Sequence, residues 1–210
     1  DGFAAFQRAD LAAAGALVDY LEDTQKGNLP RLYPPRRLSA EGTMMIDAAT
    51  RRSLELVRTQ TGDTAGSLLS TIDRTVTGAG ARLLAKRLSA PLTDPVRINE
   101  RLDCVDHLHT RPSLRADLRE TLKGAPDMER ALARLSLGRG GPRDLAAMRE
   151  GLKAGRTVQG LLSGPEGVLD EVPMLVVEAH EDLGNHDALI EELERAIVAE
   201  PPLITRDGGY

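Results

Sequence analysis

Aromatic side chains are nearly missing from these 210 residues: two Phe, three Tyr and no Trp. A protein that reads single-stranded bases needs rings to stack them on, so that activity is excluded as the main one. Cysteine occurs once, as Cys104. One thiol cannot make an intramolecular disulfide, and its isolation fits a reducing, cytoplasmic compartment. Long apolar runs are also missing. The run "LAAAGALV" at 11–18 falls well short of the roughly 18 residues of a membrane span, so no membrane partner is expected. The opening "DGFAAF" has neither Met nor a basic leader. No signal peptide is read there, and an Asp start points to a piece of something longer.

The usual marks of chemistry are missing too. A phosphate loop needs converging backbone N–H groups after a strand, with a Lys and a Ser/Thr at set spacing. Gly78-Ala79-Gly80 has no third glycine and no Lys-Ser/Thr pair, and the helical-looking "SLLSTIDR" precedes it. "GRGG" at 138–141 and "GLKAGRTVQG" at 151–160 miss the required order as well. Cys104, His107 and His109 do not converge on a helix turning about 100° per residue. His107 points roughly opposite Ile98 and reads as a surface histidine, Cys104 as half-buried; His180 and His186 have no Cys or His partner nearby. No Ser-His-Asp order or paired carboxylates stand out. No catalytic, cofactor-binding or metal-ligating residue is therefore assigned.

What is present is charge, unevenly spread. The net charge is −5, which argues against a surface wholly given to nucleic acid. Residues 1–100 carry 13 basic and 12 acidic groups, residues 101–160 carry 12 and 8, and residues 161–210 carry 2 and 12. The running balance of +1, +4 and −10 implies ends with different surroundings.

Periodicity predicts helices. Leu11, Ala14, Leu17, Val18 and Leu21 line one face of a helix over 8–25, and Gly27 and Pro30 end it. Three prolines make 28–42 an extended connector. "TMMIDAATRRSLELV" at 43–57 is either a short β-like segment or a helix. A short helix at 67–74 follows, then one over 78–90 with Thr77 as N-cap. Thr93 or Asp94 caps the next, with Pro95 in its first turn; Ile98, Leu102, Val105 and Leu108 form its apolar stripe. Further helices are predicted at 113–123, 126–138, 141–162, 168–182 and 186–198. Ile190, Leu193 and Ile197 share a face in the last of these. Pro201-Pro202 cannot continue a helix. The class is all-α and multihelical, in two helical subdomains with a short extended or β-like lead-in near 43–57.

The stretch "DRTVTGAGARLLAKRLSAPL" at 73–92 draws the lines together. Gly80 is a small residue allowing close approach near a helix start, and Leu84 and Leu88 are its packing face. Arg82 and Lys86 lie four apart, with Arg87 adjacent. Phosphate contact, contact with a neighbouring domain, and solvation with pairing to the acidic C-terminal third all stand open, the last leading.

A longer pattern surrounds that stretch: Gly66-Ser67-Leu68-Leu69, Asp73-x-Thr75-x-Thr77, Gly80-x-Arg82-Leu83-Leu84, Pro91-Leu92-x-Asp94, Ile98 and Arg101-Leu102-Asp103. With "IDAATRRSLEL" before it, "DMERALARLSLGRGGPRDLAAMREGL" after it and "PPLITRDGG" at the end, nearly the whole chain resembles the core (domain III) and first lever of the bacterial MutS family of DNA mismatch-repair proteins. Arg87 departs from the pattern, standing where the family often has Trp.

The resemblance implies a whole protein that binds mismatched duplex DNA and hydrolyses ATP with Mg, as a dimer, through domains that are not here: a connector, a DNA clamp and an ATPase. It implies that residues 1–42 lead into the core, 43–124 form a core subdomain, 125–198 a lever subdomain and 199–210 the start of the clamp. The region itself would be non-catalytic and mechanical. One rival is direct DNA-backbone binding through the basic 74–156 region; another is a free-standing helical adaptor. A lever without its returning helices is expected to expose apolar surface and self-associate.

Overall fold

The computed structural model of the chain describes residues 6–26, 32–35, 42–163, 172–202, 206 and 208–209. Among them, structure is helical: α1 (Arg8–Gln25), α2 (Ala48–Ser53), α3 (Leu68–Ile72), α4 (Gly78–Ser89), α5 (Pro95–His109), α6 (Pro112–Lys123), α7 (Met128–Ser136), α8 (Pro142–Ser163), α9 (Met174–Asp182) and α10 (Asp187–Ala196). Their starts follow from side chains that satisfy the free N–H groups of a first turn. Asp47, Ser67, Thr77, Asp94 and Asp127 each accept from an amide two or three residues on. Proline opens α5, α6 and α8, where its missing N–H costs nothing.

The spine is α8. Its 22 residues run about 33 Å at 1.5 Å per residue, and α6, α7, α9 and α10 all pack on it. Glycine makes two of these contacts close. A Cβ on Gly151 would lie 2.2 Å from the Met128 sulfur, and one on Gly155 would lie 3.5 Å from Leu183 Cδ2. The buried apolar side chains are few and sit mostly around this spine: Leu118 of α6, Ala131 of α7, Val176 of α9, Ile190 of α10 and Ile197 just beyond it, with Leu56 apart.

Several expectations change. The 43–57 lead-in is β-like at one point only, an isolated antiparallel bridge between Thr43 and Leu92, and α2 follows it. Met44 N–H donates to Pro91 O at 2.8 Å and Thr93 N–H to Gly42 O at 3.0 Å, so the lead-in is pinned to the end of α4. In α5 only part of the expected stripe is packed: Ile98 and Leu108 are half-buried. Leu102 and Val105 are 55% and 62% exposed, whereas His107 is 7% exposed. Beside them Arg101 and Cys104 are half-buried and His107 is buried, and α6 and α9 pack on this helix. The surface reading of His107 is thus corrected. The helix expected over 168–182 begins at Met174; residues 164–171 lie outside the described set, as do most of 28–42 and residues 203–205, 207 and 210 of the tail. No residue of α1 is fully buried: on its apolar face Leu11 and Leu17 are exposed, and Ala14, Val18 and Leu21 are half-buried.

His107 carries a consequence for pH. Burial, with Arg111 adding like charge, holds its imidazole below the usual 6.5. The unfolded chain then takes up the proton first, so stability is full above about pH 6.5 and falls as pH drops toward the lower folded value. In His107→Gln the part of the decline that sets in below about pH 6.5 is expected to disappear from urea midpoints measured across pH.

Candidate functional site: an ionic joint through α7

The turn before α4 is built by short polar side chains. Asp73 accepts from the Thr75 amide at 2.8 Å and the Thr75 hydroxyl at 2.7 Å, and these bonds hold its carboxyl below the usual range. Thr77 Oγ1 then accepts from Gly80 N–H at 3.0 Å. A Cβ on Gly80 would sit 2.9 Å from that oxygen, so glycine lets the cap close tightly.

Arg82 projects from the first turns of α4 to the start of α7. Its Nη1 donates to Asp127 Oδ2 at 2.7 Å and its Nη2 to Asp127 Oδ1 at 3.1 Å, a two-pronged bond; Nη2 also donates to Glu129 Oε2 at 2.7 Å. Such forked guanidinium–carboxylate bonds fix orientation as well as distance. Asp127 also caps α7, accepting from Arg130 N–H, where the helix dipole favours negative charge. The Arg82 hydrogen bonds lead in holding the Asp127 carboxyl below its ordinary range, and the two carboxylates raise Arg82 above its own.

The other end of α7 is tied to α8. Arg134 pairs through Nε and Nη2 with Asp144 Oδ1. Asp144 is 13% exposed, and its other oxygen accepts from Gly141 N–H at 3.0 Å at the start of α8. Arg134 chiefly, with that amide, depresses its pKa. One short helix therefore carries an acid at its head joined to α4 and a base near its tail joined to α8.

Charge pairing continues down α8. Lys153 Nζ meets Glu194 Oε1 at 2.9 Å and Arg156 Nη1 meets Asp187 Oδ1 at 3.0 Å. These two pairs use the acidic C-terminal third, but Arg82 and Arg134 find their acids at 127–144 instead. Lys86 and Arg87 stay exposed in the last turn of α4, where positive charge suits the helix end. Arg87 lies toward Arg101, whose guanidinium is held low by burial and by the neighbouring Arg87 and Arg97 charges. Leu84 and Leu88 are half-buried.

Two features escaped sequence reasoning. Asp127, Glu129 and Asp144 are in the quoted signature; Asp144 finds Arg134 within it, whereas Asp127 and Glu129 find Arg82, 45 and 47 residues away, and the signal was a surplus of acids where helices begin. His180 has a neighbour after all: its Nε2 lies 2.8 Å from Ser163 Oγ. Among the described residues its Nδ1 is buried without a partner. Among the described residues no three metal-ligating side chains converge, and no helix is long and apolar enough to cross a membrane.

The chain was compared with known proteins. Residues 49–210 match the family model for MutS domain III. All 210 residues align, at 55% identity, with the DNA mismatch repair protein MutS of Paracoccus denitrificans. Identities to the MutS proteins of Cereibacter sphaeroides and Rhizobium meliloti are 51% and 48%, again over the full chain. The chain spans 23%, 23% and 22% of those relatives' lengths.

Proposed function

The chain belongs to the MutS family, as its domain III, and we propose that it is the non-catalytic coupling core of a mismatch-repair ATPase. In this reading the whole protein binds mismatched duplex DNA and hydrolyses ATP with Mg as a cytoplasmic dimer. This region links its connector, clamp and ATPase domains. The observation that carries the reading is the joint through α7. Arg82 and Asp127 lie 45 residues apart, yet their forked bond ties α4 to α7, and Arg134–Asp144 ties α7 to α8. Packed helices linked this way rearrange between discrete positions rather than deforming softly. The relatives' name supports the whole-protein activity, and the short span of the match supports placing the chemistry in other domains.

Direct contact with the DNA backbone is the second reading. It is favoured by one helix face: Arg115, Arg119 and Lys123 recur every fourth residue along α6 beside Val76 and Pro112. Against it, Arg115 is occupied, donating to Leu108 O at 2.8 Å and His109 O at 2.9 Å. Duplex titration separates the readings. The coupling reading expects the 210-residue chain to show no ATP turnover above blank and no duplex affinity at low salt. Affinity that falls with salt at a log–log slope near −0.9 per phosphate contact, and that is lost in Arg119→Glu/Lys123→Glu, would establish the second reading instead.

A further inference from the structure

Beyond the joint through α7, α8 carries an arginine that is spent on backbone rather than on a partner helix. Arg149 is 5% exposed. Its Nη1 donates to Ile197 O at 3.0 Å and Val198 O at 3.2 Å, and its Nη2 to Ala199 O at 3.2 Å. Nε donates to Glu150 Oε1 at 2.7 Å. A buried cation is costly unless its N–H groups are met, and three of these four bonds go to consecutive carbonyls of one segment.

That segment is where the chain leaves the helical body. Ile197 ends α10 with extended backbone, φ −132° and ψ 132°. The carbonyls that follow have no strand beside them, among the described residues, to take up their bonding capacity. Arg149 supplies it, and Ile197 and Pro201 are buried on either side. One turn and a half earlier on α8, Arg143 Nε donates to Pro201 O at 3.3 Å. With Arg156–Asp187 and Lys153–Glu194, the contacts read in one order: as the number on α8 falls from 156 through 153 and 149 to 143, the partner rises from 187 through 194 and 197–199 to 201. The exit segment therefore runs back along α8, antiparallel to it.

We propose that Arg149 is a latch: a positioning residue that binds the exit segment to α8 and so fixes the direction in which the chain continues past Pro201. Displacement of whatever follows Pro201 is delivered to α8 through this one guanidinium and the Arg143 bond behind it. The latch gives the coupling reading its outgoing joint, but it stands in the isolated chain without DNA or nucleotide.

Hydrogen exchange read by mass spectrometry on the 210-residue chain tests it. In Arg149→Gln, exchange across 194–200 is expected to quicken by roughly tenfold or more, while α7 and the first half of α8 keep their protection. Arg149→Lys, which keeps the charge but cannot fork to three carbonyls, is expected to give the same local release to a smaller degree. Unchanged exchange at 194–200 in Arg149→Gln overturns the latch. So does a uniform loss of protection in both variants, which makes Arg149 a general core residue. Because neither ATP nor DNA enters the assay, a failed latch leaves the coupling reading untouched, and a confirmed latch does not rescue it.

Discussion

Ile190→Ala is expected to destabilise the chain by about 2–5 kcal/mol, the cost of emptying a buried isoleucine site. For a chain of this size that lowers the thermal midpoint by about 10 °C. Ile190 is 2% exposed, one of the two largest side chains buried this completely. It docks α10 on α8 in a body whose buried apolar set is small, so neighbours have little slack with which to fill the gap. The polar seam beside it cannot compensate: Lys153–Glu194 and Arg156–Asp187 are about half exposed, and such pairs contribute little each. Circular dichroism melts and urea titrations check the value; a loss under 1 kcal/mol would mean that α10 is not held by its apolar face.

Gly151→Ala is the second large effect, expected at about 1–3 kcal/mol from overpacking. The added methyl carbon would lie 2.2 Å from Met128 Sδ and 2.3 Å from its Cγ, far inside contact distance. Met128 must leave its place between α7 and α8, and the helices must part or the side chain must find a strained rotamer. The double variant Gly151→Ala/Met128→Ala isolates this clash. Its loss is expected to be smaller than the sum of the single losses, a coupling read from a double-mutant cycle of urea midpoints. Strict additivity would show that Gly151 is needed for some other reason, such as backbone freedom.

Most helix boundaries could be read from the sequence because the punctuation is local: Thr77 and Asp94 cap and Pro95 opens a helix irrespective of what packs on them. The apolar face of α5 could not. Its stripe of Ile98, Leu102, Val105 and Leu108 is regular, yet Leu102 and Val105 are exposed while Cys104 and His107 are drawn inward with Ile98 and Leu108. Periodicity tells which residues could be buried together, whereas the neighbours' positions decide which are. The joint through α7 could not be read from the sequence or from the resemblance. Arg82 and Asp127 are ordinary surface-type residues until the fold sets them 2.7 Å apart, and nothing local distinguishes Arg82, which is paired, from Lys86, which is exposed one turn later. Arg149 was hidden for a related reason: its partners are carbonyls, which every residue has.

The central claim is that this region carries motion and not chemistry. It is tested most directly in the full-length protein by Arg82→Ala and Asp127→Ala, with ATP turnover measured in the absence and presence of mismatched duplex DNA. The account expects turnover without DNA to be unchanged, and the response to DNA to be lost in both variants alike. Turnover abolished without DNA, or a DNA response left intact after the α4–α7 bond is cut, would contradict it.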